Sequence, residues 1–203
     1  MPGSFDEFRD YSYEKVLNSK FKDRIPDHIF DTHLHNDFLQ VPPYPSRDDD
    51  PANIRQLRMI SLDYPNAKII LAHCALGHNP YRLKSGLIQI RDLPNVYFEC
   101  SGVAEALSIY YVLKYFGPHR LMYGSDGYGY AIRLNRCFAL GPSFSGKHFA
   151  LMKPEEIGRH VFLYSAFEGL EALFAAGDIY GLDKEQWEDI FYNNAIRIYS
   201  LKK

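Results

Sequence analysis

No apolar run in this sequence approaches the roughly 20 residues that cross a bilayer. The opening Met1-Pro2-Gly3-Ser4-Phe5-Asp6-Glu7 has neither the basic start nor the apolar block of a signal peptide. A cytoplasmic protein without a membrane partner is therefore expected. An excess of charge is lacking too: 23 basic and 25 acidic residues leave a formal net charge of -2, which gives no electrostatic footprint for nucleic acid or an anionic membrane. Cysteine is scarce. Cys74, Cys100 and Cys137 are an odd number in no metal-finger spacing, which suits reduced, mostly buried thiols. Internal repeats and low-complexity tracts are absent. What is present is a 203-residue chain that is 46% hydrophobic, enough for one substantial core and a single domain over 1–203.

The stretch Ile29-Phe30-Asp31-Thr32-His33-Leu34-His35-Asn36-Asp37 is the most informative in the chain. Side chains alternate across a strand, so two histidines separated by one residue at a strand end point to the same side, where one ion can meet both. Ile29 and Phe30 suit a buried strand, and Asn36-Asp37 reads as the loop that follows. Taken alone, the pair is equally well explained as surface histidines beside a turn.

Residues 5 to about 20 place Phe5, Phe8, Tyr11, Val16 and Leu17 near helical spacing, and the first strand follows from His28 to His33. Pro42 to Asp50 is a proline-rich acidic loop, better read as a solvated linker than as a lid. Asp50 and Pro51 open a helix that Tyr64-Pro65 stops. Ala67 to His73 is an apolar run with almost no alternation, which predicts a strand covered on both faces. A helix from about Tyr81 to Arg91, a strand Val96–Cys100, a helix from about Ala104 to Phe116 and a strand Arg120–Ser125 continue the alternation. The pattern predicts an α/β fold of parallel strands joined by helical crossovers. Beyond Asp126 and the glycine-containing loop Gly127-Tyr128-Gly129-Tyr130, helices are expected near Ile132–Leu140, Pro154–Ala176 and Lys184–Tyr199, with a loop over 141–146.

Four residues of chemical interest fall at strand C-terminal ends: His33, His35, His73 and Asp126. In parallel α/β architecture the loops leaving that rim converge, which is why sites form there. Two imidazoles and a carboxylate form a ligand set for a divalent metal ion, Zn²⁺, Mn²⁺ or Fe²⁺, with positions left for water. Such an ion lowers the pKa of its water toward neutrality and supplies a hydroxide nucleophile. Asp126 could ligate or accept the water's proton; His73 could polarise a substrate carbonyl or protonate a leaving group. Individually, His73 as a core histidine and Asp126 as a turn carboxylate are no less reasonable; together the four residues favour a site.

These residues and their surroundings resemble the amidohydrolase superfamily, specifically the amidohydrolase 2 type that includes the aminocarboxymuconate semialdehyde decarboxylase relatives. The resemblance rests on Phe30-Asp31-Thr32-His33-Leu34-His35, Pro65 to His73, Pro94 to Gly102, Arg120 to Asp126 and the closing Asn193-Asn194-Ala195-Ile196-Arg197-Ile198-Tyr199. It implies a (β/α)₈ TIM barrel with a metal, zinc above all, at its C-terminal rim. It further implies that His33, His35 and Asp126 are metal ligands and that His73 looks like the sixth-strand histidine, which contacts substrate or activated water.

The sequence departs from the family pattern between His35 and Asp63, where the second to fifth strands belong and only a proline-rich loop and one helix fit. A full barrel needs about 250 residues. The histidine of the fifth strand has no match here, and His78 is its only suggested substitute. The surviving strands look like the sixth, seventh, eighth and first, which are neighbours in a closed barrel, so a partial barrel with one four-stranded parallel sheet is expected. Its two open edges suggest a homodimer in which the first strand of one copy pairs with the sixth-like strand of the other; a truncated or internally deleted enzyme is the competing explanation. Two functions remain open. One is a metal-dependent hydrolase or lyase acting on a small carbonyl substrate, by C–N or C–O hydrolysis or by non-oxidative decarboxylation. The other is a remnant that no longer turns over. Arg133, Tyr128 and Tyr130 follow Asp126 closely and could face a carboxylate or an aromatic ring, although surface exposure is the simpler reading of the tyrosines.

Overall fold

The computed structural model describes residues 24, 49, 51–126, 132–133, 138–140, 143–145 and 163–200. The first strand with His33 and His35, the helix expected before it, the proline-rich loop up to 48, Cys137, Tyr128 and Tyr130 lie outside the described residues, as does the side chain of Arg133.

Three parallel strands, β1 (Ile69–Leu71), β2 (Val96–Glu99) and β3 (Leu121–Met122), form a sheet in that order. Its register sets Ile70 opposite Tyr97 and Phe98 opposite Leu121. Helix α1 (Pro51–Asp63) precedes β1, α2 (Pro80–Ile90) links β1 to β2, and α3 (Ala106–Phe116) leads through a 3₁₀ turn, Pro118–Arg120, into β3. The expected α/β alternation is present, with three parallel strands among the described residues.

Local chemistry explains where these elements begin. Asn79 caps α2 by accepting from the N–H groups of Tyr81 (3.1 Å) and Arg82 (3.2 Å), and Pro80 occupies a first-turn position where its missing donor costs nothing. Leu83, Leu87 and Ile90 then recur on one face and are buried. Asn95, just before β2, donates from Nδ2 to the carbonyls of Ser61 (3.3 Å) and Tyr64 (3.1 Å) and accepts from the Ser61 hydroxyl. One buried amide thus ties the end of α1 to the entrance of β2.

Helix α4 (Ser165–Tyr180) packs against α3, which also packs against α2. The largest fully buried side chains, among them Phe98, Leu83, Ile109, Leu113, Leu170, Phe174 and Phe191, lie within or beside this layer. Each is worth roughly 1.5–3 kcal/mol relative to exposure. A smaller cluster joins Met122, Ala195 and Ile198 with Ile70 and Tyr97. Tyr97 and Phe98 necessarily face opposite sides of β2, so the two clusters belong to the two faces of the sheet.

The C-terminal segment is α5 (Lys184–Glu188), opened by a capping box between Asp183 and Gln186, then a π-helical stretch Asp189–Asn193 and α6 (Asn194–Ile198). It is fastened to β3 and to the residues flanking it. Asn194, fully buried, donates to the carbonyls of Pro118 (2.8 Å) and Leu121 (2.7 Å), and the N–H of Tyr123 donates to the carbonyl of Ile190 (2.9 Å). Lys68 closes α6 by donating to the carbonyls of Arg197 (3.0 Å) and Ile198 (2.6 Å), as a cation at a helix C-terminus should.

Four expectations need correction. The segment Ile132–Leu140 is not one helix: it contains β4 (Ile132–Arg133) and β5 (Phe138–Leu140), and β5 pairs with β6 (Ser143–Ser145) where a loop was expected. The Leu140–Ser143 register leaves only Gly141-Pro142 between the paired strands, a hairpin-length connection. Of the helix expected over Pro154–Ala176, residues 154–162 lie outside the described residues; β7 (Leu163–Tyr164) pairs antiparallel with β4 and interrupts it, and the described helix starts at Ser165. It also runs on to Tyr180, where Gly181, with φ of 86°, follows. Finally, β1 is only half-buried along its length, so its two faces are covered in part: Ile69 and Leu71 pack against the main core and Ile70 against the smaller cluster. Among the described residues no helix is long and apolar enough to cross a membrane.

Candidate active site at the strand rim

Chain conformation at the end of β1 is unusual. His73, Cys74, Ala75 and Leu76 all have positive φ, from 50° to 64°, and together make one left-handed turn. Such a conformation costs non-glycine residues roughly 1–2 kcal/mol each. It persists only where the surroundings impose it, and backbone strain of this sort concentrates at functional sites. The N–H of Gly77 closes the turn on the carbonyl of His73 (2.8 Å). Gly77 is required there, since a Cβ would lie 2.7 Å from the carbonyl oxygen of Cys74 and 2.6 Å from Leu83.

What imposes the turn is the end of β2. Glu99 is 2% exposed, and its Oε1 accepts from the backbone N–H of His73 at 2.5 Å while its Oε2 accepts from that of Ser101 at 2.9 Å. The carboxylate therefore clamps the exits of two neighbouring strands. The His73 ring then meets Ser101 twice: Nδ1 is 2.9 Å from the Ser101 carbonyl oxygen and 3.0 Å from its hydroxyl.

Asp126 follows β3 by four residues, has φ of 57° and is 3% exposed. Gly102 joins it to the histidine. With φ of 63°, this glycine brings its backbone so close that a Cβ there would sit 3.3 Å from Asp126 Oδ2 and 3.5 Å from His73 Nδ1. His73 and Asp126, 53 residues apart in sequence, thus flank one point of backbone at the C-terminal ends of the strands. His78, 6% exposed, has its ring centroid 6.2 Å from that of His73.

The two thiols nearby are buried. Burial pushes the Cys74 thiol well above its usual range, and negative charge on Cys100 and Glu99 adds to the effect. Neither forms a disulfide. An apolar cavity of about 460 Å³ adjoins the turn, lined by Ile54, Leu57, Ile70, Leu71 and Ala75 among others. Neither His73 nor Asp126 lines it, so its apolar walls add nothing to the chemistry at the rim.

Of the four site residues expected from sequence, the structure brings His73 and Asp126 together; His33 and His35 lie outside the described residues. Among the described residues no three histidine, cysteine, aspartate or glutamate side chains converge to hold a metal. Asp126 does fit such a role chemically, as a carboxylate withdrawn from solvent and set beside an imidazole. Sequence reasoning missed Glu99, Ser101 and Gly102 as site-builders. The available signal was a lone acid closing the apolar strand Val96-Tyr97-Phe98, followed at once by a serine and a glycine.

A parallel sheet with its polar residues gathered at the strand exits defines the class, and comparison with known proteins gives the family. The amidohydrolase 2 family model matches residues 25–201, and the chain belongs to that family. No curated protein matches. Among solved structures, an amidohydrolase from Burkholderia multivorans with bound HEPES is 18% identical, covering 73% of this chain and 51% of that one at a TM-score of 0.45. A zinc-bound form of it gives 18%, 73%, 50% and 0.44. Amidohydrolase 2 from Bifidobacterium longum subsp. infantis is 20% identical, with 76% and 48% covered and a TM-score of 0.42. The chain spans about half the length of these solved structures.

Proposed function

We propose that this chain, acting as one domain, is a metal-dependent hydrolase or lyase of the amidohydrolase 2 kind that works on a small carbonyl compound. The observation that carries this reading is the meeting of His73 and Asp126 around Gly102 at the strand exits, inside a chain of that family. In this reading Asp126, with His33 and His35 from the first strand, holds a divalent ion, zinc before manganese or iron, whose chemistry when bound is to activate water. Asp126 can also take a proton as the reaction begins. His73, fixed through its Nδ1, orients its other ring nitrogen toward the substrate, where it polarises a carbonyl or hands a proton to the leaving group. The left-handed turn and the Glu99 clamp hold the imidazole still, which is what preorganisation requires.

The same reading takes the fold as a partial barrel and pairs two copies through the outer edge of β1, which has no ladder partner among the described residues. A second reading, a family member that keeps the fold and has lost turnover, draws on the half-length coverage of the solved structures. Metal analysis of the purified protein separates the two. Near-stoichiometric zinc, manganese or iron that disappears in a His33→Ala/His35→Ala double variant supports the enzyme; a folded, metal-free wild type that takes up none of these ions supports the inactive member.

A further inference from the structure

We propose that Glu99 is a positioning residue that sets the tautomer of His73, holding the neutral imidazole as its Nδ1–H form with Nε2 unprotonated. The inference rests on the active-site reading of His73 given above, but its chemistry is independent of any metal or turnover. A carbonyl oxygen can only accept, so the 2.9 Å contact between Nδ1 and the Ser101 carbonyl requires the proton on Nδ1. The Ser101 hydroxyl oxygen, 3.0 Å away, shares that same proton.

Ser101 is in place because Glu99 puts it there. One carboxylate oxygen takes the His73 N–H at 2.5 Å and the other takes the Ser101 N–H at 2.9 Å. The backbones that carry the donor ring and the acceptor carbonyl are thereby locked to the two oxygens of a single planar group. Hydrogen bonds to a buried carboxylate are the strong ones, and the one from His73 holds the first residue of the left-handed turn. An amide in place of the carboxylate keeps one acceptor and turns the other into a donor facing a donor. Glu99 touches no substrate in this scheme; it acts through the ring. The consequence is that Nε2, the nitrogen on the far side of the ring from Ser101, is the one that accepts a proton or binds an electrophile.

The test is long-range ¹H–¹⁵N correlation spectroscopy of ¹⁵N-histidine-labelled protein, with His73 assigned by a His73→Gln variant. In the wild type His73 is expected to show the Nδ1–H pattern, and the amide protons of His73 and Ser101 to be shifted downfield and protected from exchange. In Glu99→Gln the pattern is expected to move to the Nε2–H form or to a mixture while the thermal transition stays cooperative; Ser101→Ala, which keeps the carbonyl, is expected to retain Nδ1–H. An Nε2–H pattern in the wild type, unprotected His73 and Ser101 amides, or an unchanged tautomer in folded Glu99→Gln overturns the proposal. If Glu99→Gln does not fold, the wild-type tautomer and amide protection decide it. None of these readouts depends on activity, so a failed enzyme hypothesis and a failed clamp give different results.

Discussion

Gly102 is the residue on which the site turns. Its positive φ is strained for any side chain, and a Cβ would crowd Asp126 Oδ2 at 3.3 Å while meeting His73 Nδ1 at ordinary contact distance. Gly102→Ala is expected to separate these two groups, lowering stability by roughly 1–3 kcal/mol and lowering metal retention along with it. Thermal melts and metal analysis of the variant check this, and unchanged values for both would show that the glycine is incidental. His73 and Asp126 stand out in the sequence as candidates because each is a polar residue ending an apolar, strand-like run. Glu99 does not, because from sequence a lone acid after Phe98 looks like the solvent-facing end of a strand. Only the fold shows that it turns inward to two backbone amides, which carry no sequence signature.

Among the elements, the C-terminal segment has a structural task that its sequence announces only as a family likeness. Asn194 satisfies two carbonyls at the start of β3 from one amide, with Arg197 donating in turn to Asn194 Oδ1 (2.6 Å) and to the carbonyl of His119 (2.8 Å). Asn194→Ala leaves buried carbonyls without their donor and is expected to cost about 2–4 kcal/mol, read as a shift in the denaturant midpoint with an unchanged slope. Ahead of β2, Arg58 on α1 grips Asp92 with two bonds of 2.6 and 2.7 Å. That hydrogen-bonded pairing lowers the Asp92 carboxyl to about 2 from its ordinary 3.8. A carboxylate whose folded value is depressed stabilises the protein above its unfolded value and loses that contribution as pH falls toward the folded one. The pair should therefore steepen the loss of stability between about pH 4 and pH 2, and Asp92→Asn should flatten it there while changing little of the pH dependence above pH 5. Because Asp92 is exposed the effect is small; equal slopes in both proteins would show that the pair does not stabilise the fold. Helices with caps and buried stripes, such as α2, were legible to within a residue or two. The short strands β4 to β7 were not, since two- and three-residue strands are set by the partners they pair with rather than by local periodicity.

For the molecule as a whole, the alternation of helix and strand announced the parallel sheet, while β1, the edge strand of the described sheet, packs on both faces but is buried only by half. That edge is the surface a second copy would cover in the proposed pairing. Sedimentation at micromolar concentration is expected to give a dimer; a monomeric wild type would remove the two-copy barrel. The central claim is that segments far apart in sequence bring their donors to one ion. Calorimetric titration of zinc into metal-free protein tests it most directly. A single site per chain is expected, weakened by more than about 100-fold in Asp126→Asn and in His33→Ala alike, since losing a ligand costs more than the 10–100-fold of losing its supporting partner. Zinc binding of unchanged stoichiometry and affinity in Asp126→Asn would contradict it.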